Sequence, residues 1–127
     1  MRFNHLDLAV RDVAAAASFF QAHFAFTSVS ARADFAVLTD GQGFALVLSA
    51  LSPDEPGAYP RGFHVGFNVP TRQEVHDCHE RMAAAAVPIV RGLSLRAGAL
   101  TFECIAPGGV VVEVAHRAAS HDHPPGC

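Results

Sequence analysis

The sequence predicts an α+β protein built from two copies of one β-α-β-β-β unit. Three observations predict it: short runs of strictly alternating hydrophobicity, one helical stripe in each half, and the same order of both on either side of a proline-rich break. The 127 residues are half hydrophobic and 17% charged, which suits one domain with its own core and excludes a disordered or solvating segment.

The first strand is Asn4–Val10, where Leu6, Leu8 and Val10 alternate with His5, Asp7 and Ala9. Asp12 stands at an N-cap position, and Val13, Ala16, Ala17, Phe20 and Phe24 recur at helical spacing behind it. Val29, Phe35–Leu38 and Phe44–Leu48 mark three further strands, with Asp40-Gly41-Gln42-Gly43 as the turn between the last two. The stretch Ser52-Pro53-Asp54-Glu55-Pro56-Gly57, continuing to Tyr59-Pro60, is a loop by composition and reads as a hinge.

The order then repeats. Phe63–Val69 alternates, with Val65, Phe67 and Val69 opposite His64, Gly66 and Asn68. Thr71-Arg72-Gln73-Glu74 is a capping box, and Val75, Cys78, Met82 and Ala86 form the second helical stripe. Ile89–Val90, Leu100–Ile105 and Val110–Val114 make three more strands, the last pair joined by Pro107-Gly108-Gly109. His5 and His64 match at an offset of 59 (64 − 5), while the closing strands match at 66 (110 − 44). The extra residues fall in a longer connection, Arg91–Ala99. The expected organisation is therefore a single domain over 1–115, with module one at 1–50, a linker at 51–62 and module two at 63–115. Residues 116–127 read as a flexible tail in which His121, His123 and Cys127 offer at most a weak metal site.

The net charge of −3 argues against a nucleic-acid partner. Three cysteines without CxxC spacing exclude a disulfide framework and fit a reducing, cytoplasmic setting. No signal-peptide core opens the chain, and no apolar run is long enough to span a membrane, so no membrane partner is expected.

Three polar residues interrupt strand patterns in the same manner. His5, with Asp7, and His64 face away from their strands' apolar stripes, and Glu113 stands alone among Val110, Val111, Val112 and Val114. A carboxylate on such a strand must be protonated, paired or bound to a cation. Two imidazoles and a carboxylate on rigid strands match the facial triad, whose mixed N/O donors suit iron, manganese, nickel, cobalt or zinc. The alternatives are histidines held by ordinary hydrogen bonds and a Glu113 paired with Arg91 or Arg96.

The segments His5-Leu6-Asp7-Leu8-Ala9-Val10-Arg11-Asp12, His64-Val65-Gly66-Phe67-Asn68-Val69 and Ala106-Pro107-Gly108-Gly109-Val110-Val111-Val112-Glu113-Val114 carry a family resemblance. In order and spacing the chain resembles the vicinal oxygen chelate superfamily of glyoxalases, bleomycin-resistance proteins and extradiol dioxygenases, with Ala106 in place of that family's usual Asp. The resemblance implies two βαβββ modules forming a cup-shaped mixed sheet with helices on its outer face. It also implies a homodimer and a divalent metal at the cup floor.

Carried over, His5, His64 and Glu113 match three family metal ligands. The fourth position, the repeat partner of Glu113, is Val47, which cannot coordinate. That departure favours extradiol dioxygenase-like or fosfomycin-resistance-like chemistry over a two-carboxylate proton shuttle. Asp7 and Glu103 are candidate catalytic residues, as general base or orienting group. Arg91 is the candidate holder of an anionic group on a small-molecule substrate, and Phe35 and Phe102 are expected to line the pocket. The competing expectation is a metal-free protein of bleomycin-resistance type that sequesters a drug.

Overall fold

A computed structural model gives the architecture of residues 1–118, so the tail residues His121, His123 and Cys127 lie outside the described residues. Two four-stranded sheets and two helices are present. In chain order the first β-α-β-β-β set is β1 (His5–Val10), α1 (Val13–Phe24), β2 (Thr27–Ala31), β3 (Phe35–Thr39) and β4 (Ala45–Ala50). The second is β5 (His64–Asn68), α2 (Arg72–Ala84), β6 (Ile89–Arg96), β7 (Ala99–Ile105) and β8 (Val111–His116). The sheets have equivalent strand orders, β1-β4-β3-β2 and β5-β8-β7-β6. Among the described residues no helix is long and apolar enough to cross a membrane.

The first compact unit comprises Met1–His64 together with Ile105–Val111. In its mixed sheet β1 runs parallel to β4, and β4–β3 and β3–β2 are antiparallel. Asp12 caps α1 by accepting the Ala15 N–H at 3.0 Å, and Ala25 ends the helix in the left-handed region at φ 56°. Leu8, Val10, Leu38, Leu46 and Leu48 turn to the core with Val13, Ala16, Phe19 and Phe20 of α1. The opposite face of the sheet carries His5, Asp7 and Ala9 of β1 beside Ala45, Val47 and Ser49 of β4.

The turn at Pro107–Gly109 belongs to this unit. Gly108 sits at φ +97°, and a Cβ added there would come within 2.9 Å of Val10 Cγ1. Only glycine meets both demands at once.

The second unit comprises Val65–Cys104 and, among the described residues, 112–118. The capping box of α2 is complete. Thr71 Oγ1 accepts the Glu74 N–H at 3.2 Å, and Glu74 Oε2 accepts the Thr71 N–H at 3.0 Å. The helix stops at Ala84, so Ala86, expected on its stripe, lies beyond it at φ 56°.

Val75, Cys78 and Met82 of α2 are buried, as are Leu100, Phe102 and Cys104 of β7 and Val112 and Val114 of β8. Burial pushes the Cys104 thiol up to about 11, with Cys78 nearby adding to the effect. The Phe102 ring meets His79 edge-on at 5.1 Å and is fully buried, so it belongs to the core beneath α2 and is not a pocket-lining residue. Phe102 and Cys104 alternate with Thr101 and Glu103, which places the latter two on the other face.

The long connection expected at Arg91–Ala99 is mostly strand. β6 extends to Arg96 and turns back through Ala97 and Gly98, both at positive φ (47° and 79°). Its apolar alternation is broken by two register shifts against β7, at Ile89/Arg91 and Arg91/Ser94, which hide the strand from a period-two reading.

Candidate functional site

His5 begins β1 on the exposed, alternate face of that strand. Its Nδ1 lies 2.8 Å from Asn4 Oδ1. His64 begins β5, and its Nδ1 lies 2.9 Å from the backbone oxygen of Gly62. Both partners are acceptor oxygens, so each imidazole donates from Nδ1, and in the neutral ring that tautomer leaves the lone pair on Nε2. That arrangement, with one nitrogen anchored to oxygen and the other bare, is the one that metal-binding histidines use.

Asp7 follows His5 on the same face. Its Oδ1 accepts a 2.7 Å hydrogen bond from Ser49 Oγ, and its Cα partner on β4 is Val47. The loop after β4 is tied down beside it. The Tyr59 hydroxyl donates to the Ala9 carbonyl at 2.5 Å, and the Tyr59 ring stacks on Phe63 at 5.1 Å and 11°. Arg11 donates to the Glu55 carbonyl across the same loop. Burial, and then the Asp7 charge, raise the Tyr59 phenol above its ordinary value, so it stays a neutral donor.

Glu113 stands at the centre of β8, half-buried between the fully buried Val112 and Val114. Among the described residues its carboxylate makes no hydrogen bond or ion pair. Arg91 and Arg96, two arginines able in principle to neutralise it, turn to Glu103 on β7 instead, with N···O separations of 3.8 and 4.0 Å. The structure thus joins two candidates named separately in the sequence, since Arg91 and Glu103 are Cα partners and an ion pair. β5 and β8 are neighbouring strands of one sheet, so His64 and Glu113 stand on adjacent strands, while His5 belongs to the other sheet. Among the described residues no group of three or more His, Cys, Asp or Glu side chains is gathered closely enough to hold a metal ion.

Ser49, Ser94 and Thr101 are polar groups that the structure brings forward. Thr101 was legible, because it alternates with Phe102 as Glu103 does. Ser94 was not, since its face depends on the two shifts in β6.

Paired β-α-β-β-β units with histidines opening the first strand of each, and a carboxylate on the last, define a class of small α+β proteins. The chain belongs to the Glyoxalase/Bleomycin resistance protein/Dioxygenase superfamily, whose profile matches residues 2–114. It is similar to a possible glyoxalase from Bacillus cereus, at 34% identity and a TM-score of 0.79 over 90% of this chain and 97% of that one. Two more distant structures share the fold. A glyoxalase-related enzyme from Fulvimarina pelagi is 20% identical, with a TM-score of 0.77 over 92% of this chain and 88% of that one. A lactoylglutathione lyase from Agrobacterium tumefaciens is 19% identical, with a TM-score of 0.71 over 91% and 92%. No curated protein matches the chain.

Proposed function

We propose that this protein is a divalent-metal-dependent enzyme in which His5, His64 and Glu113 hold the ion and a small substrate approaches it through two adjacent oxygens. The observation that carries this reading is the state of the three side chains. Both imidazoles present an Nε2 with no hydrogen-bond partner among the described residues, and Glu113 is a half-buried carboxylate with none either, while Arg91 and Arg96 serve Glu103. The donor set suits iron, manganese, nickel, cobalt or zinc.

A bound ion would supply Lewis-acid polarisation of the substrate oxygens. The chain's own residues supply the rest. Asp7, held by Ser49, offers a carboxylate on β1 opposite the position where Val47 offers none on β4, and we assign it the proton transfer. Tyr59 fixes the loop over the end of β1 by its bond to Ala9 and so shapes the approach to Asp7. Glu103 sits within an ion-pair cluster and is assigned a positioning role. A cytoplasmic homodimer is part of this reading. The reducing compartment fits the free thiols of Cys78 and Cys104.

Elemental analysis of purified protein tests the reading most directly. Wild type is expected to carry about one divalent ion per chain, and His64→Ala or Glu113→Ala to lose it, with affinity falling by roughly 100-fold or more. Full metal content in both variants would falsify the assignment. Oxygen uptake by iron-loaded protein with a catechol separates ring cleavage from isomerase or thiol-addition chemistry, which consumes none.

The absence of an assembled trio also favours a second reading, a metal-free protein that sequesters a small molecule in the manner of bleomycin-resistance members. Tight drug binding by chelator-treated wild type, unchanged in His64→Ala, would select it.

A further inference from the structure

Two register shifts decide which side chains of β6 share a face with β7. Continued without interruption from Ile89↔Cys104, the ladder would set Val90 opposite Glu103 and Gly92 opposite Thr101. Each shift adds one residue to β6, and the pairs become Arg91↔Glu103 and Ser94↔Thr101. Arg96, opposite Ala99, falls on the same face. The edge strand thereby gives that face two guanidiniums with the Ser94 hydroxyl, where an unbroken ladder would give it valine and glycine with the same serine, placed opposite Ala99 instead of Thr101.

These groups have unfilled hydrogen-bonding capacity. The guanidinium nitrogens approach Glu103 at 3.8 and 4.0 Å, close enough for charge attraction and too far for a hydrogen bond. Two arginines around one carboxylate leave the cluster at +1. On the same face, Ser94 Oγ and Thr101 Oγ1 are buried without a hydrogen-bond partner among the described residues, and Thr101 is only 4% exposed. Native interiors rarely leave such donors unmet without a reason. Thr101 and Glu103 are two positions apart on one strand, about 7 Å, a distance that flexible arginine side chains span.

We propose that this face of β6 and β7 is a subsite for the oxyanion of a small ligand, a carboxylate or phosphonate group. Arg91 and Arg96, with side chains 44% and 51% exposed, part to admit it and supply charge-assisted N–H donors. Ser94 and Thr101 donate from the floor. Glu103 holds the guanidiniums in register when no ligand is present and competes with the ligand for them. That this anion is a handle on the enzyme's substrate rests on the metal-dependent reading above, while the binding itself needs none of His5, His64 or Glu113.

The test uses the full chain freed of metal by chelation and titrated at low salt with pyruvate and, separately, methylphosphonate. The Nε–Hε resonances of Arg91 and Arg96 are followed by NMR. Saturable shifts at low-millimolar concentration with one probe or both are expected, and the stronger probe identifies the anion class. Arg91→Gln with Arg96→Gln should weaken binding roughly tenfold or more, and Glu103→Gln should strengthen it severalfold by removing the competitor. Thr101→Val should weaken binding about threefold while raising Tm, because it deletes an unpartnered buried hydroxyl. Shifts that fail to saturate by about 50 mM, or affinity indifferent to the double arginine substitution, overturn the proposal. So does a Thr101→Val protein with lowered Tm and unchanged affinity. Probe binding that survives in His64→Ala, in protein that has lost its metal, separates this subsite's success from the fate of the metal assignment.

Discussion

The two β-α-β-β-β units share an order of elements but place their bulk on opposite partners. In the first, α1 carries the large side chains, Phe19 and Phe20, and β3 answers with Ala36 and Leu38. In the second, α2 brings Val75, Cys78 and Met82, and β7 brings Leu100 and Phe102. A close-packed layer constrains summed volume more than the element supplying it, so the same space is filled from either side. The faces away from the helices have diverged further. β4 and β8 both bury alternate apolar residues, Leu46 and Leu48 against Val112 and Val114, yet the position between them is Val47 in one and Glu113 in the other. A repeat preserves the helix-facing stripe because the core depends on it and leaves the opposite face free to acquire chemistry.

The comparison breaks most visibly at its aromatic centres. Phe20→Ala and Phe102→Ala should each cost about 3–5 kcal/mol, read by urea denaturation, because each removes the largest side chain of its own helix–sheet layer. A loss below about 1 kcal/mol at Phe102 would show that β7 does not carry the second core. The turns that precede β4 and β8 sharpen the contrast further. Gly108 and Gly43 have nearly the same φ, +97° and +92°, but a Cβ at Gly108 meets Val10 and one at Gly43 meets nothing within 4 Å. Gly43→Ala should cost about 1 kcal/mol in conformational strain alone, and Gly108→Ala about 2–3 kcal/mol, since a buried valine must also move. Equal costs would mean that the Pro107–Gly109 turn does not bear on Val10.

Most of the fold was legible because its signals are local. Alternation along His5–Val10 and His64–Asn68, the Asp12 and Thr71 caps, and the closing turn each state their own structure, and their order states the repeat. β6 was not legible beyond Val90. A strand with two extra residues loses the period that announces a strand, and it leaves Val90 and Leu95 exposed along the sheet edge. The candidate site divides along the same line. His5, Asp7, His64 and Glu113 could be singled out because regular alternation places each on the face opposite its strand's apolar stripe. The pairing of Arg91 with Glu103 could not, because it is a product of register. Phe102 was misplaced for a simpler reason: an aromatic on a strand is assigned to a face only once the strand's neighbours are known, and its neighbour is His79 of α2.

The smallest effect concerns the turns that set those registers. The β6–β7 hairpin closes through Ala97 and Gly98, both left-handed, as in a two-residue turn of the I′ type, where Asn-Gly or Gly-Gly is favoured. Ala97 carries a Cβ at φ 47° and is strained there, so Ala97→Gly or Ala97→Asn should stabilise the protein by about 0.5–1 kcal/mol. The equivalent connection in the first unit, Arg32–Asp34, has no residue at positive φ. Ala33→Gly should therefore give no gain and lose a few tenths of a kcal/mol through the freer unfolded chain. Opposite signs for the two substitutions, measured as shifts in urea midpoint at constant slope, would show that β6 is held in register partly by a turn under strain. Like signs would assign the register to the bulges, of which β6–β7 has two and β2–β3 has one, at Ser28/Ser30.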